Sequence, residues 1–235
     1  MNYFAHGMRF CDRPYFLAGT ACPDWLSVAD RRVRLRARRV EPFADGSESP
    51  EAEIAAGILQ HLEDDQHFHQ TRTFVETSAE LTRLIRRVLG PEDGFRPGFL
   101  GHIATELILD GVLIERDPQC LDDYYRAIDA LDGELVQRTV NKMARGETNR
   151  LVGLIPRFHA EQFLRDYLDS VRLLYRLNQV MRRIKLRQLP DELADVFDTG
   201  REFIRERASE LLPFPSADVS PANTNHKTHR RGATR

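Results

Sequence analysis

The sequence predicts an all-α protein, a single helical domain of about six to eight helices, and three observations carry that expectation. Proline and glycine fall at Pro42, Gly46, Pro50, Gly90, Pro91, Gly94, Pro97, Gly133, Gly146, Pro156, Pro190 and Pro213, leaving long uninterrupted segments between them. Those segments carry helical periodicity, and the alternation that marks strands is scarce. One of them, Gly98 to Ile114, is apolar on nearly every side and so belongs in a core.

Taken in order, the first strong helix opens at Ser49, Pro50 and Glu51, which read as an N-cap, a first-turn proline and a first-turn acid. Its pattern runs through Ile54, Ile58 and Leu62 and predicts a helix continuing to about Leu89. The core helix over Gly98–Ile114 follows. Further helices are predicted over Leu121–Arg145, Phe158–Arg187 and Pro190–Leu212, the last opened by Pro190, Asp191 and Glu192. The domain is expected to occupy residues 1–213, because residues 214–235 are polar, lack apolar anchors and read as a disordered tail.

Composition narrows the function classes. A chain of 235 residues with 41% hydrophobic side chains has enough material for one sizeable core. Its formal net charge of −2 offers no overall attraction to nucleic acid or to an anionic membrane, so no nucleic-acid partner is expected. No segment has eighteen uninterrupted apolar residues, so no membrane span is expected either. Cys11, Cys22 and Cys120 match no disulfide or zinc-ribbon spacing, which suits a reducing cytoplasm. Positive charge is nearly all arginine and clusters at Arg31, Arg32, Arg34, Arg36, Arg38 and Arg39, a run suited to a phosphate or to an acidic partner.

The residues that bear chemistry lie on the two central helices. His61, Asp65 and His69 are four apart, so successive members turn by only about 40° and share a face with Ile54 and Ile58. His102, Glu106 and Asp110 repeat that spacing in the most apolar helix. Ionisable groups on faces that bury need a cation or hydrogen-bond donors. Mixed imidazole and carboxylate groups suit one or two Mn, Fe or Zn ions better than Ca. His6 and Asp24 are candidates to complete such a centre, with Asp65 or Glu106 orienting water as a base. His67 points to another face, and His159 is weaker. The alternative for both triplets is a buried ion-pair network.

The opening Met1-Asn2-Tyr3-Phe4-Ala5-His6, with Phe16-Leu17-Ala18-Gly19 and Asp24, resembles the start of acyl carrier protein phosphodiesterases. Gly57-Ile58-Leu59-Gln60-His61-Leu62-Glu63-Asp64-Asp65 is similar to that family's Gly-Ile-x-x-His-x-x-x-Asp motif, and Glu106 and Asp110 fall where it has two aspartates. The likeness spans roughly residues 1–186. It implies an HD-like helical fold, a divalent metal, often Mn, and removal of phosphopantetheine from acyl carrier protein. The resemblance makes His6, Asp24, His61, Asp65, Glu106 and Asp110 the metal site. Two positions depart from the pattern: Leu62 replaces an arginine, and Gly111 stands where the family has a histidine, which His102 would replace from earlier on the same helix.

The expected function is therefore a metal-dependent phosphodiesterase, with Arg31, Arg32, Arg34 and Arg36 meeting the phosphate or the carrier protein. Two other readings follow from the same residues. One is a non-catalytic helical protein with a structural metal or ion-pair core. The other, weaker, is a zinc-dependent phospholipase C-like enzyme.

Overall fold

Two glycines let the central helices touch along their backbones. Helix α2 (Pro14–Ala29) and helix α4 (Pro50–Gln70) cross at Gly19 and Gly57, whose Cα atoms face each other. A Cβ on Gly57 would lie 2.1 Å from the Phe16 carbonyl oxygen, and one on Gly19 would lie 2.4 Å from that of Ile54. Such distances are repulsive, so only glycine permits this approach. Leu17, Ala18, Ile54 and Ile58 are buried around the crossing.

The computed structural model describes residues 1–91 and 95–212. Among them it contains helices and no strand, as the punctuation predicts. Eleven α-helices form rather than six to eight. Those outside the predicted segments are α1 (Tyr3–Gly7) and α3 (Ala37–Val40), which are short, and the sixteen-residue α2; the others come from breaks inside longer predicted segments. The segment expected to run from Ser49 to Leu89 divides at Thr71 into α4 and α5 (Arg72–Leu89). The Thr71 hydroxyl donates to the Phe68 carbonyl at 2.8 Å and accepts the Phe74 N–H at 3.2 Å, so one side chain ends one helix and caps the next. Ser49 caps α4 by accepting the Ala52 N–H, as predicted.

Helix α6 (Pro97–Arg116) fulfils the core-helix expectation, with Leu100, Ala104, Ile108, Leu109, Val112 and Leu113 fully buried. By length and composition alone it would cross a membrane, but most of its surface is covered by this fold. The predicted helix over Leu121–Arg145 is two helices, α7 (Pro118–Asp129) and α8 (Gly133–Met143), because Asp132 accepts the Glu134 and Leu135 N–H groups and starts a new helix. The segment from Phe158 to Arg187 divides likewise. Helix α9 (Leu151–Glu161) ends at Gln162 in a left-handed conformation, a 3-10 turn covers Phe163–Leu168, and Asp169 caps α10 (Ser170–Arg183). Helix α11 (Leu193–Leu211) begins three residues after Pro190. The tail expected over 214–235 lies outside the described residues.

Helix α6 packs against α5 on one side and α11 on another, while α1 lies across α2 and α6. The N-terminal residues are thereby set between α4 and α6, the two helices that carry the triplets.

Candidate metal centre

Helix α1 is anchored by Asp110. The first N–H groups of any helix lack partners inside it. Here the Phe4 and Ala5 N–H groups donate to the two Asp110 carboxylate oxygens at 3.0 and 2.8 Å, and the Asn2 side-chain amide adds a third bond at 3.0 Å. Burial pushes the Asp110 carboxyl up to about 6 against these bonds. Asp110 thus spends its oxygens on holding α1 in place and belongs to neither metal-capable group described below, in contrast to the ligand role expected from its spacing.

The anchoring delivers His6 to α4. Its ring is fully buried and stacks on that of His61 with centroids 3.9 Å apart. His6 Nε2 lies 3.2 Å from Asp65 Oδ1, and His61 Nε2 lies 3.6 Å from Asp65 Oδ2. On its other side His61 Nδ1 meets the Thr20 carbonyl of α2 at 2.8 Å. That contact puts the ring proton on Nδ1 and leaves Nε2 with a lone pair facing Asp65, the second-sphere arrangement typical of metal-ligating histidines. Neither His6 nitrogen has an aligned hydrogen-bond partner among the described residues, although both are buried. Burial together with the His6 charge lowers His61 to about 3, so it is neutral. Burial opposes protonation of His6, but the neighbouring Asp64 and Asp65 carboxylates outweigh it and raise its pKa.

A second group forms one turn further along α4. His69 Nε2 is 2.9 Å from Glu106 Oε1, and His102 Nε2 is 3.1 Å from the same oxygen. The Met1 ammonium lies between the groups, 2.6 Å from Asp65 Oδ1 and 3.5 Å from Glu106 Oε1. Burial disfavours the Glu106 charge, yet the ammonium and the two imidazoles win and hold this carboxyl at about 2; Asp65 is likewise held far below the usual range by His6 and the ammonium. Two trios, His6–His61–Asp65 and His69–His102–Glu106, are therefore each able to hold a metal ion. Four-residue spacing groups these residues by helix, whereas the fold groups them across helices, His6 joining His61 and Asp65 as the resemblance implies.

Asp24 stands beside both trios without joining either. Its Oδ2 is buried with no hydrogen-bond partner among the described residues, and burial next to Asp65 and Glu106 raises the carboxyl to about 7. It opens onto a cleft of about 490 Å³ that also touches Met1 and Glu106. Trp25, Phe158, Phe163 and Tyr167 form an aromatic wall, and Arg31, Arg157 and Arg183 stand exposed at the rim. None of these three arginines makes an ion pair among the described residues. A wider groove of about 720 Å³ along α5 carries no imidazole or carboxylate.

The arginine run divides. Arg31 reaches the cleft, Arg32 pairs with Asp30, Arg39 donates to the Met143 and Ala144 carbonyls, and Arg34, Arg36 and Arg38 are exposed outside the cleft lining. His67 is exposed, and His159 pairs with Asp129 away from the centre, 3.3 Å apart. Asp64, which spacing did not single out, is buried with its Oδ2 3.7 Å from His6 Nδ1 and 3.8 Å from Arg9. Arg157 and Arg183 were also missed, since nothing in the sequence links α9 and α10 to α2. At Gly111 a Cβ would lie 2.5 Å from the Tyr167 carbonyl, so a histidine has no room there.

No protein-family model, curated protein or solved structure matches this chain.

Proposed function

We propose that this chain is a metal-dependent phosphodiester hydrolase with an HD-like helical fold, acting in the cleft above Asp24. The observation that carries the reading is the convergence of His6, His61 and Asp65 near Asp24, whose buried Oδ2 has no partner among the described residues, in a cleft whose rim arginines make no ion pair among them. The donor set fits a borderline divalent ion such as Mn, Fe or Zn, since it offers imidazole lone pairs and an ionised carboxylate. His6, His61 and Asp65 would hold the ion, which when bound acts as a Lewis acid on a phosphoryl oxygen and acidifies water.

The chain's own groups do the rest. Asp65 and Glu106 are too acidic to be effective bases, whereas Asp24, near 7, is matched to take a proton from water at neutral pH. The water oxygen forms a bond to phosphorus, the bond to the ester oxygen breaks, and the departing alkoxide takes a proton from solvent. Arg31, Arg157 and Arg183 neutralise charge on the phosphoryl oxygens, and the aromatic wall accommodates an apolar arm of the substrate. Within this class, the motif likeness at residues 1–24 and 57–65 favours holo acyl carrier protein, its acidic surface lying along Arg31, Arg32, Arg34 and Arg36.

The test is hydrolysis of bis(p-nitrophenyl) phosphate and release of phosphopantetheine from holo carrier protein, each with added Mn or Zn. His61→Ala and Asp65→Ala should lower kcat/KM at least ~100-fold, and Asp24→Asn should lower kcat by ~100-fold or more. Equal rates in all of them would overturn the mechanism. The non-catalytic reading draws on the Met1 ammonium, which already satisfies Asp65 and Glu106 as an ion-pair core would. It expects metal or chelator to change only the melting temperature, with no turnover.

A further inference from the structure

We infer that His69, His102 and Glu106 form a second divalent-metal site, distinct from the one built on His6, His61 and Asp65. It deepens the reading of the cleft as a metal-dependent site, on which its role depends; its existence does not, because it is read out by binding.

Three features of the trio point to an ion. The first is convergence: the ligand atoms of all three residues lie within 4.8 Å of one another, with Glu106 Oε1 at 2.9 and 3.1 Å from the two Nε2 atoms. Ligands about 2.0–2.2 Å from a tetrahedral ion stand roughly 3.3–3.6 Å apart, so only a small expansion admits it. The second is sharing: both imidazole nitrogens face the same carboxylate oxygen. The Met1 ammonium is served by Asp65 Oδ1 at 2.6 Å, so the two imidazoles are left to share this one oxygen, and an ion would use both their lone pairs and the carboxylate charge. The third is orientation. Phe74 packs edge-on against both rings, with centroids 5.0 Å from His69 and 4.9 Å from His102, and the rings themselves are 4.7 Å apart. Rotamers are thus fixed before any ion arrives.

Two imidazoles and one carboxylate leave a fourth position open, the pattern of catalytic rather than structural zinc. Glu106 lines the cleft, so that position can take a phosphoryl oxygen of the substrate.

The experiment is equilibrium dialysis of the full chain against Zn²⁺ with elemental mass spectrometry, on wild type, His61→Ala, His102→Ala and His69→Gln. His102 and His69 are part-exposed, at 44% and 32% of the side chain, so their replacement should leave the fold intact, which circular dichroism checks. We expect about two equivalents in the wild type and a loss of about one in each variant. Retention of the wild-type content by both His102→Ala and His69→Gln would overturn the second site, as would a single equivalent lost only in His61→Ala. Absence of hydrolysis would bear on the proposed reaction and leave the count untouched.

Discussion

At the scale of the residue, His61 shows how one hydrogen bond fixes a tautomer and leaves the other ring nitrogen with its lone pair. The Thr20 carbonyl fixes its tautomer, and burial keeps it neutral, with a pKa of about 3 in place of 6.5. In the unfolded chain the same ring takes up a proton below about pH 6.5. The neutral ring's contribution to stability is therefore fully present above about 6.5 and is lost as the pH falls from there toward 3. Between pH 7 and pH 5 that loss amounts to about 2 kcal/mol. His61→Gln, which does not titrate, should escape it. Urea unfolding in chelator at both pH values is expected to show the wild type losing about 2 kcal/mol more than the variant. Parallel losses would mean that folded His61 carries the proton.

At the scale of the element, the close crossing of α2 and α4 carries Thr20 and Asp24 to His61 and Asp65. Gly57→Ala places a methyl 2.1 Å from the Phe16 carbonyl and must push the helices apart. A loss of about 1–3 kcal/mol is expected, seen as a lower Tm, together with weaker zinc retention at the His61 site. An unchanged Tm would show that the crossing tolerates a side chain. The same crossing explains what the sequence made legible. Helical periodicity located α4 and α6, and four-residue spacing put the right histidines and carboxylates on their faces. What periodicity does not contain is which face meets which, so it joined His69 to His61 and Asp110 to Glu106. The partners were decided by α1, whose five residues are too few for a periodic signal, and by Thr71, whose hydroxyl competes with the helix in a stretch where apolar spacing continues unbroken. Asp110 is indistinguishable by spacing from a ligand, and only the two N–H groups of α1 reveal it as a cap.

At the scale of the whole molecule, the cleft draws on segments from both ends of the chain: Met1, α2, α6, α9 and α10 all border it. Asp24 and Glu106 line it and arginines stand at its rim, so in the proposed reaction an anion would be drawn in by the rim toward these carboxylates. Replacing Arg157 by Ala removes a charge that has no ion-pair partner among the described residues, and should weaken binding of inorganic phosphate to the metal-loaded protein by about tenfold, equivalent to about 1.4 kcal/mol. Arg138→Ala, on the exposed face of α8 and paired with Glu134, should leave phosphate affinity unchanged. Isothermal titration at two salt concentrations measures both, and equal affinities for all three proteins would remove the rim from the binding account.

Helix α4 supplies His61 and Asp65 to one trio and His69 to the other, so the interval between the two centres is a length of helix and not a loop. It is graduated in steps of about 1.5 Å and about 100° per residue. One residue inserted after Asp65 would swing His69 off its face and take it out of the second trio, leaving the first in register. Four residues inserted there would restore the angle but move His69 about 6 Å along the axis, beyond the reach of His102. The spacing that α4 contributes between the trios is thus discrete, and it changes only with the count of residues between His61 and His69.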